Sequence, residues 1–208
     1  MGRNSKDDIR KPQILEHFRA VINEEGFHKA SIARVAKHMG MSPNLIVHYF
    51  KSKEAMVLEL CDLLLDEYFE FISVSTDDQK EGVPRIKSML KRMFGMEGGK
   101  QLLVENSFYA LYYISLSNEQ VKQRLNQQYD KQVNRWTKDI QSAIQAGEIN
   151  PSDPVKMAAL VLSLLEGFSF MANMQINGHY IEDFGRYFYE KAWTILKAGD
   201  SDLMLVSE

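Results

Sequence analysis

Residues 26–54 read GFHKASIARVAKHMGMSPNLIVHYFKSKE, two short helical segments parted by a single glycine. Ser31 stands immediately before Ile32, Val35, Ala36 and Met39, which recur at i, i+3, i+4 and i+7 and so share one side of a helix. A serine there can cap the helix by accepting a hydrogen bond from a first-turn amide. Arg34, Lys37 and His38 are left on the water side. Gly40 is the residue best able to take the left-handed conformation that stops a helix, with Met41 as a plug for the turn. Ser42 then offers a second cap, and Pro43 fits the first helical position, where a missing N–H costs nothing.

At about 100° per residue, Ile46 and Phe50 fall on one side of the second segment with Tyr49 flanking them. Asn44 and His48 project from the opposite side, between Leu45 and Val47. An apolar inner side and a polar outer side describe a helix that is held from behind and presented outward. Around its rim Ser42, Tyr49, Lys51, Ser52 and Lys53 supply hydroxyl and ammonium groups, the chemistry that clamps phosphate oxygens. Asparagine can bond adenine through two hydrogen bonds in a major groove, and Leu45 and Val47 suit thymine methyls. Together these residues point to duplex DNA, and Arg34, on the outer side of the first segment, joins the candidates.

A capped helix, a glycine turn, a second capped helix and then HYFKSKE at 48–54 resemble the amino-terminal domain of TetR-type transcriptional regulators, over roughly residues 10–60. The resemblance implies that the last helix of a trio reads DNA. It further implies phosphate contacts from Ser31, Ser42, Tyr49 and Lys53, and base-edge or groove contacts from Pro43, Asn44, Leu45, Val47 and His48. Ile46 and Phe50 would hold that helix in place. The family often carries an aromatic residue where this chain has Val47, so the contact credited to that aromatic is not carried over.

The chain has 208 residues, 45% of them apolar, enough for one or two domains with a core, and a formal net charge of −3. That charge is unevenly spread. Met1 to Lys53 carries ten Lys/Arg against five Asp/Glu, and the remainder fifteen against twenty-three, so the basic surplus sits with the candidate DNA module. Cys61 is the single cysteine; no internal disulfide can form, and a reducing cytoplasm is the expected compartment. The opening MGRNSKDDIRK lacks the apolar stretch of a signal peptide, and no uncharged apolar run reaches the length of a membrane span.

Ile14, Leu15, Phe18, Val21 and Ile22 fall at helical spacing and complete a three-helix unit ending at Lys53, with 1–53 as the DNA-binding domain. Arg3, Lys6, Arg10 and Lys11 form either a basic arm for a neighbouring minor groove or a solvated tail. The rest, 54–208, reads as a larger helical domain: apolar faces at Met56–Tyr68, Ile86–Phe94 and Leu102–Leu116, a long amphipathic run at Glu119–Gln145, and two last helices near Met157–Met174 and Tyr180–Leu196. No stretch alternates like a strand. The expected fold is all-α, with about nine or ten helices. Met157–Met174 is apolar on all sides, which calls for burial all round or against a second chain; the resemblance implies that the last two helices build a homodimer.

The larger domain is rich in residues that suit either a ligand pocket or an ordinary core: Met89, Met93, Phe108, Tyr109, Tyr112, Trp136, Phe168 and Met171, with Glu105, Asn106, Gln132 and Asn173 as polar groups to orient a ligand. The resemblance implies a small-molecule effector bound there. Neither a cofactor nor a metal is expected. The five histidines form no HExxH pattern, there is no glycine-rich phosphate loop, and GFSFM at 167–171 lacks a nucleophile elbow, so an enzyme is not expected. The competing reading is a helical module that binds protein instead of nucleic acid; its outward helix would carry apolar anchors where this one has Asn44 and His48.

Overall fold

A computed structural model of the chain describes residues 4–73, 81–98, 106–150, 152–174 and 180–199. Among the described residues there are nine helices and no strand. They are α1 (Asn4–Glu25), α2 (Ile32–His38), α3 (Pro43–Tyr49), α4 (Lys53–Ser73), α5 (Val83–Met93), α6 (Asn106–Ser115), α7 (Glu119–Gln145), α8 (Pro154–Asn173) and α9 (Tyr180–Ala198). Leu102, Leu103 and Glu105 lie outside the described residues.

Packing divides the chain into two compact units, Met1–Asp66 with Glu105–Asn126, and Glu67–Val104 with Gln127–Glu208. The first unit is therefore larger than the trio of helices ending at Lys53. It gains α6 because α1 packs on α6, and because the Asn23 side-chain oxygen accepts from the Ser107 amide at 2.8 Å. Arg124 ties the start of α7 to α4 through Asp62, also at 2.8 Å. Ile14, Phe18, Val21, Ala30, Val35, Ile46 and Phe50 make the center of this unit and are all but fully buried. The α1 helix begins at Asn4, so Lys6, Arg10 and Lys11 belong to a helix and not to a flexible arm. Lys11 is also engaged: its ammonium meets Glu59 of α4 at 2.6 Å and lies over the Phe50 ring.

The second unit packs α9 against α5 and α8. Gly185 of α9 is buried against the Phe94 carbonyl at the end of α5, so closely that a Cβ there would collide with it. The same contact brings together the rings of Phe94, Phe168 and Phe188, with centroids 5.1–5.9 Å apart. Asp139 is fully buried and bonded to the Arg85 guanidinium, 2.7–2.9 Å away, and to the Gly82 amide at 3.2 Å. A carboxylate can be held there because each oxygen has a charged or amide donor. The α8 helix has the length and mean hydropathy (1.6) of a membrane span, yet Met157, Ala158, Val161, Leu162, Leu165 and Phe168 are buried in the unit, as in a core helix. Leu116, which the apolar run placed in the preceding helix, stands 83% exposed beyond its end.

Candidate nucleic-acid interface

The turn between α2 and α3 is built as its residues dictate. The Ser31 hydroxyl accepts from the Arg34 amide at 3.2 Å, capping α2. At the other end Gly40 takes φ +62°, the Gly40 amide donates to the Lys37 carbonyl at 3.2 Å and the Met41 amide to the Ala36 carbonyl at 2.8 Å. This paired closure of the last carbonyls needs a left-handed residue at its center, which glycine adopts without penalty. Ser42 occupies the N-cap of α3 but its side chain makes no capping bond; the Leu45 amide donates instead to the Ser42 carbonyl at 3.0 Å. The Ser42 hydroxyl is thus exposed at the helix start.

On α3, Ile46 and the following Phe50 are 0% and 1% exposed. Pro43, Asn44, Leu45, Val47 and His48 are all exposed, and Tyr49 is half-buried with its ring edge-on to that of His48. Inner and outer sides therefore fall where the helical spacing puts them. The outer side is a mixed surface of one amide, one imidazole and two aliphatic groups, able to donate, accept and touch methyls.

Two of the basic candidates are already engaged. Arg34 donates from Nε to both oxygens of Glu25, at 2.7 and 2.8 Å, which holds the Glu25 carboxyl below its ordinary range and pushes the guanidinium up. Lys53 turns inward: Nζ donates to the Phe27 carbonyl at 2.8 Å and lies 4.0 Å from the Phe27 ring centroid. Burial lowers the ammonium pKa, and neighbouring Glu54 partly restores it. Ser52 caps α4 by accepting from the Ala55 amide.

A family model described as bacterial regulatory proteins of the tetR family matches residues 14–60, and another, the tetracyclin repressor-like C-terminal domain, matches residues 81–198. The chain belongs to the TetR family. It is a DNA-binding transcriptional regulator, and α2 and α3 are its helix-turn-helix. The fatty acid metabolism regulator protein of Bacillus subtilis is 23% identical over 146 residues, covering 70% of this chain and 74% of that protein. Two solved structures share the fold. A putative transcriptional regulator from Saccharomonospora viridis in complex with choline superposes with a TM-score of 0.78 at 17% identity, over 87% of this chain and 94% of that one. AibR in complex with isovaleryl coenzyme A and operator DNA gives 0.69 at 17% identity, over 88% and 97%.

The residues expected around an effector in this TetR-family chain divide between the two units. Phe108, Tyr109 and Tyr112 belong to the first, where their rings lie 5.7–6.3 Å from one another. Met89, Met93, Trp136 and Phe168 are within the second and at most 1% exposed, whereas Met171 is 36% exposed beside exposed Phe170 and Met174. Sequence reading passed over a short polar contact here: the Tyr129 hydroxyl donates to Glu166 at 2.5 Å, joining α7 to α8. One and two turns further along α7, the buried Gln132 side-chain oxygen and the buried Trp136 indole N–H have no hydrogen-bond partner among the described residues. Leaving two such groups unpaired costs stability, so they suit a polar group brought by a ligand or by water.

Proposed function

We propose that the chain binds a palindromic operator as a homodimer, represses from it, and is released when a small-molecule effector binds. Residues 1–53 serve as the DNA-reading domain and 54–208 as the effector and dimerisation domain. The observation that carries this reading is the division of α3, with Ile46 and Phe50 buried while Asn44, Leu45, Val47 and His48 stand exposed. Asn44 and His48 read base edges, Leu45 and Val47 meet thymine methyls, and Pro43 approaches the groove wall. Ser31, Ser42, Tyr49, Arg34 and Lys53 take phosphate oxygens; for Arg34 and Lys53 this means exchanging Glu25 and the Phe27 carbonyl for the nucleic acid.

The effector reading is supported by the buried polar atoms of Gln132 and Trp136 that lack a partner among the described residues, and by the choline and isovaleryl coenzyme A held by proteins of the same fold. Release follows from α4, one uninterrupted helix from Lys53 to Ser73. An effector that favours the arrangement unable to meet both half-sites lowers operator affinity, about 5- to 150-fold for a coupling of about 1–3 kcal/mol. A regulator of this kind works in the cytoplasm, and the reading includes no catalytic step.

Selection of bound fragments from genomic DNA tests the proposal. Enrichment of a two-fold symmetric sequence with half-sites about one helical turn apart, or a multiple of it, is the expected result. Recovery of no sequence above background would overturn it.

A further inference from the structure

Arg85 and Arg92 stand one heptad apart on α5, and Asp139 and Gln132 one heptad apart on α7. A heptad is close to two full turns, so each pair projects to one side of its helix, about 10 Å apart along it. Gly82 lies beside Ala143 and Arg85 beside Asp139, which runs the two helices antiparallel. Arg92 and Gln132 are thereby brought to one level, a heptad along from the Arg85–Asp139 pair. The end of α4 marks the same level from a third side: the Phe71 carbonyl accepts from Arg92 Nη1 at 2.7 Å, and the Phe69 ring meets that of Tyr129, one turn before Gln132, at 6.0 Å. At the first level Arg85 grips a carboxylate through Nε and Nη2. At the second, the partner position holds a neutral amide. Arg92 Nε, Gln132 Oε1 and Trp136 Nε1 are buried there with no hydrogen-bond partner among the described residues, and Gln132 and Trp136 are 6% and 0% exposed.

Resting on the effector reading above, we infer that Arg92, Gln132 and Trp136 receive the carboxylate of a small organic acid. Guanidinium and indole N–H groups only donate, and the glutamine amide can turn to donate as well. Three donors of which one is a cation match an anion with two acceptor oxygens, and such charge-assisted bonds are strong in a buried setting. A neutral amide or alcohol would leave the guanidinium without a counter-charge, and an ammonium group would be repelled by it. Asp139 cannot serve, because its oxygens are held by Arg85 and the Gly82 amide. Met89 lies one turn from each arginine, and Met93 follows it; both are buried, and their unbranched thioethers can yield to the apolar remainder of the acid. The Phe71 carbonyl keeps Nη1 while the acid takes the Nε edge, so one guanidinium spans the ligand and the end of α4.

Two measurements test the site. Gln132→Glu supplies within the chain the carboxylate that the ligand would bring. Its Tm at neutral pH should equal or exceed that of wild type, while the same change in an Arg92→Gln background should lower Tm; equal losses in both backgrounds would overturn the placement. Titration calorimetry of the full chain with hexanoate, octanoate and benzoate, their amides, and choline then tests the ligand class, with circular dichroism confirming that each variant is folded. At least one acid should bind tenfold or more tightly than its amide, at least tenfold more weakly in Arg92→Gln and in Trp136→Phe, and with wild-type affinity in Lys91→Gln. An amide or choline bound as tightly as the acids would overturn the carboxylate class and leave the effector reading standing. No acid bound below millimolar concentration, or unchanged affinity in Arg92→Gln and Trp136→Phe, would overturn the site. An acid that binds as expected without changing the affinity for the selected DNA fragment would support the site and count against the effector reading alone.

Discussion

The Lys53 ammonium donates to the Phe27 carbonyl at 2.8 Å and lies over the ring of the same residue, so one cation at the start of α4 latches the loop that follows α1. A phosphate-binding lysine would be expected to matter only in the presence of DNA. This one also belongs to the folded state, and Lys53→Met should cost about 1 kcal/mol of stability in addition to weakening all DNA sequences about equally. Asn44→Ala, on the exposed side of α3, should leave stability unchanged and relax base preference instead. Burial lowers the Lys53 pKa below 10.5, so the folded state releases its proton before the unfolded state does. The stability of wild type relative to Lys53→Met therefore rises as pH increases through the window just below 10.5. Urea unfolding of both proteins at about pH 8 and about pH 10 checks the sign; a difference that shrinks with pH would mean that the contacts with Phe27 outweigh burial and raise the ammonium pKa instead.

Ser31 and Ser42 look equivalent as N-cap serines but are not. Ser31 accepts from the Arg34 amide, whereas Ser42 makes no capping bond. Ser31→Ala should cost about 1 kcal/mol of stability, and Ser42→Ala close to none. Ser31→Asp should keep the cap while placing a negative charge toward phosphate, restoring thermal stability without restoring operator affinity. Thermal unfolding beside mobility shifts separates the two roles; equal stability losses for the two alanine variants would contradict the geometry.

The parts of this site that follow from local periodicity were legible in the sequence. Ile46 and Phe50 inward, Asn44 and His48 outward, and Gly40 in the left-handed conformation all follow from 100° per residue and the freedom of glycine. What depended on long flexible side chains was not. Nothing in the order of residues says that Lys53 folds back onto Phe27, or that Arg34 finds Glu25 across a turn, because both ammonium and guanidinium groups can reach several partners from the same backbone. The pairing of Asp139 with Arg85 links positions far apart in the chain and becomes visible only when α5 and α7 are packed together. The basic stretch before Ile14 shows the limit from the other side: its residues left a groove-binding arm and a solvated tail both open, yet the helix extends back to Asn4.

Asp139 is fully buried and Arg85 is 13% exposed, so removing the cation leaves a carboxylate with no counter-charge inside the protein. Arg85→Ala should destabilise by about 3 kcal/mol or more. Replacing both residues with apolar ones of similar volume should recover most of that loss. Denaturant midpoints of the single and double variants check this, and a double variant no more stable than Arg85→Ala would show that the Gly82 amide contact, not the charge pair, dominates.

Cys61 is completely buried on α4, and burial pushes its thiol pKa up to about 12. At neutral pH almost no thiolate forms, so the side chain acts as a small apolar group and not as a redox sensor. The folded protein should resist an aromatic disulfide reagent for hours and release one equivalent of chromophore on unfolding in guanidinium. Rapid reaction without denaturant would argue against this.

One face of α8 is apolar and exposed among the described residues. Leu160, Phe170, Met171 and Met174 are 38%, 53%, 36% and 58% exposed, and Phe184 and Tyr187 on the adjoining α9 are 36% and 55% exposed. Gly167 lies along the same side, and a Cβ added there would meet nothing within 4 Å. Apolar residues around a gap are the form expected of a surface that receives a second helix closely, and a second copy of this chain is the occupant that the TetR-family reading requires. Two substitutions divide the possibilities. Phe170→Glu places a charge in the contact and should yield a monomer by light scattering, with operator affinity reduced at least tenfold because two half-sites can no longer be held together. Gly167→Leu should have the same effect while leaving the thermal stability of the monomer close to that of the Phe170→Glu monomer, since the single chain has room for the side chain. A dimer that survives both changes would place the interface elsewhere.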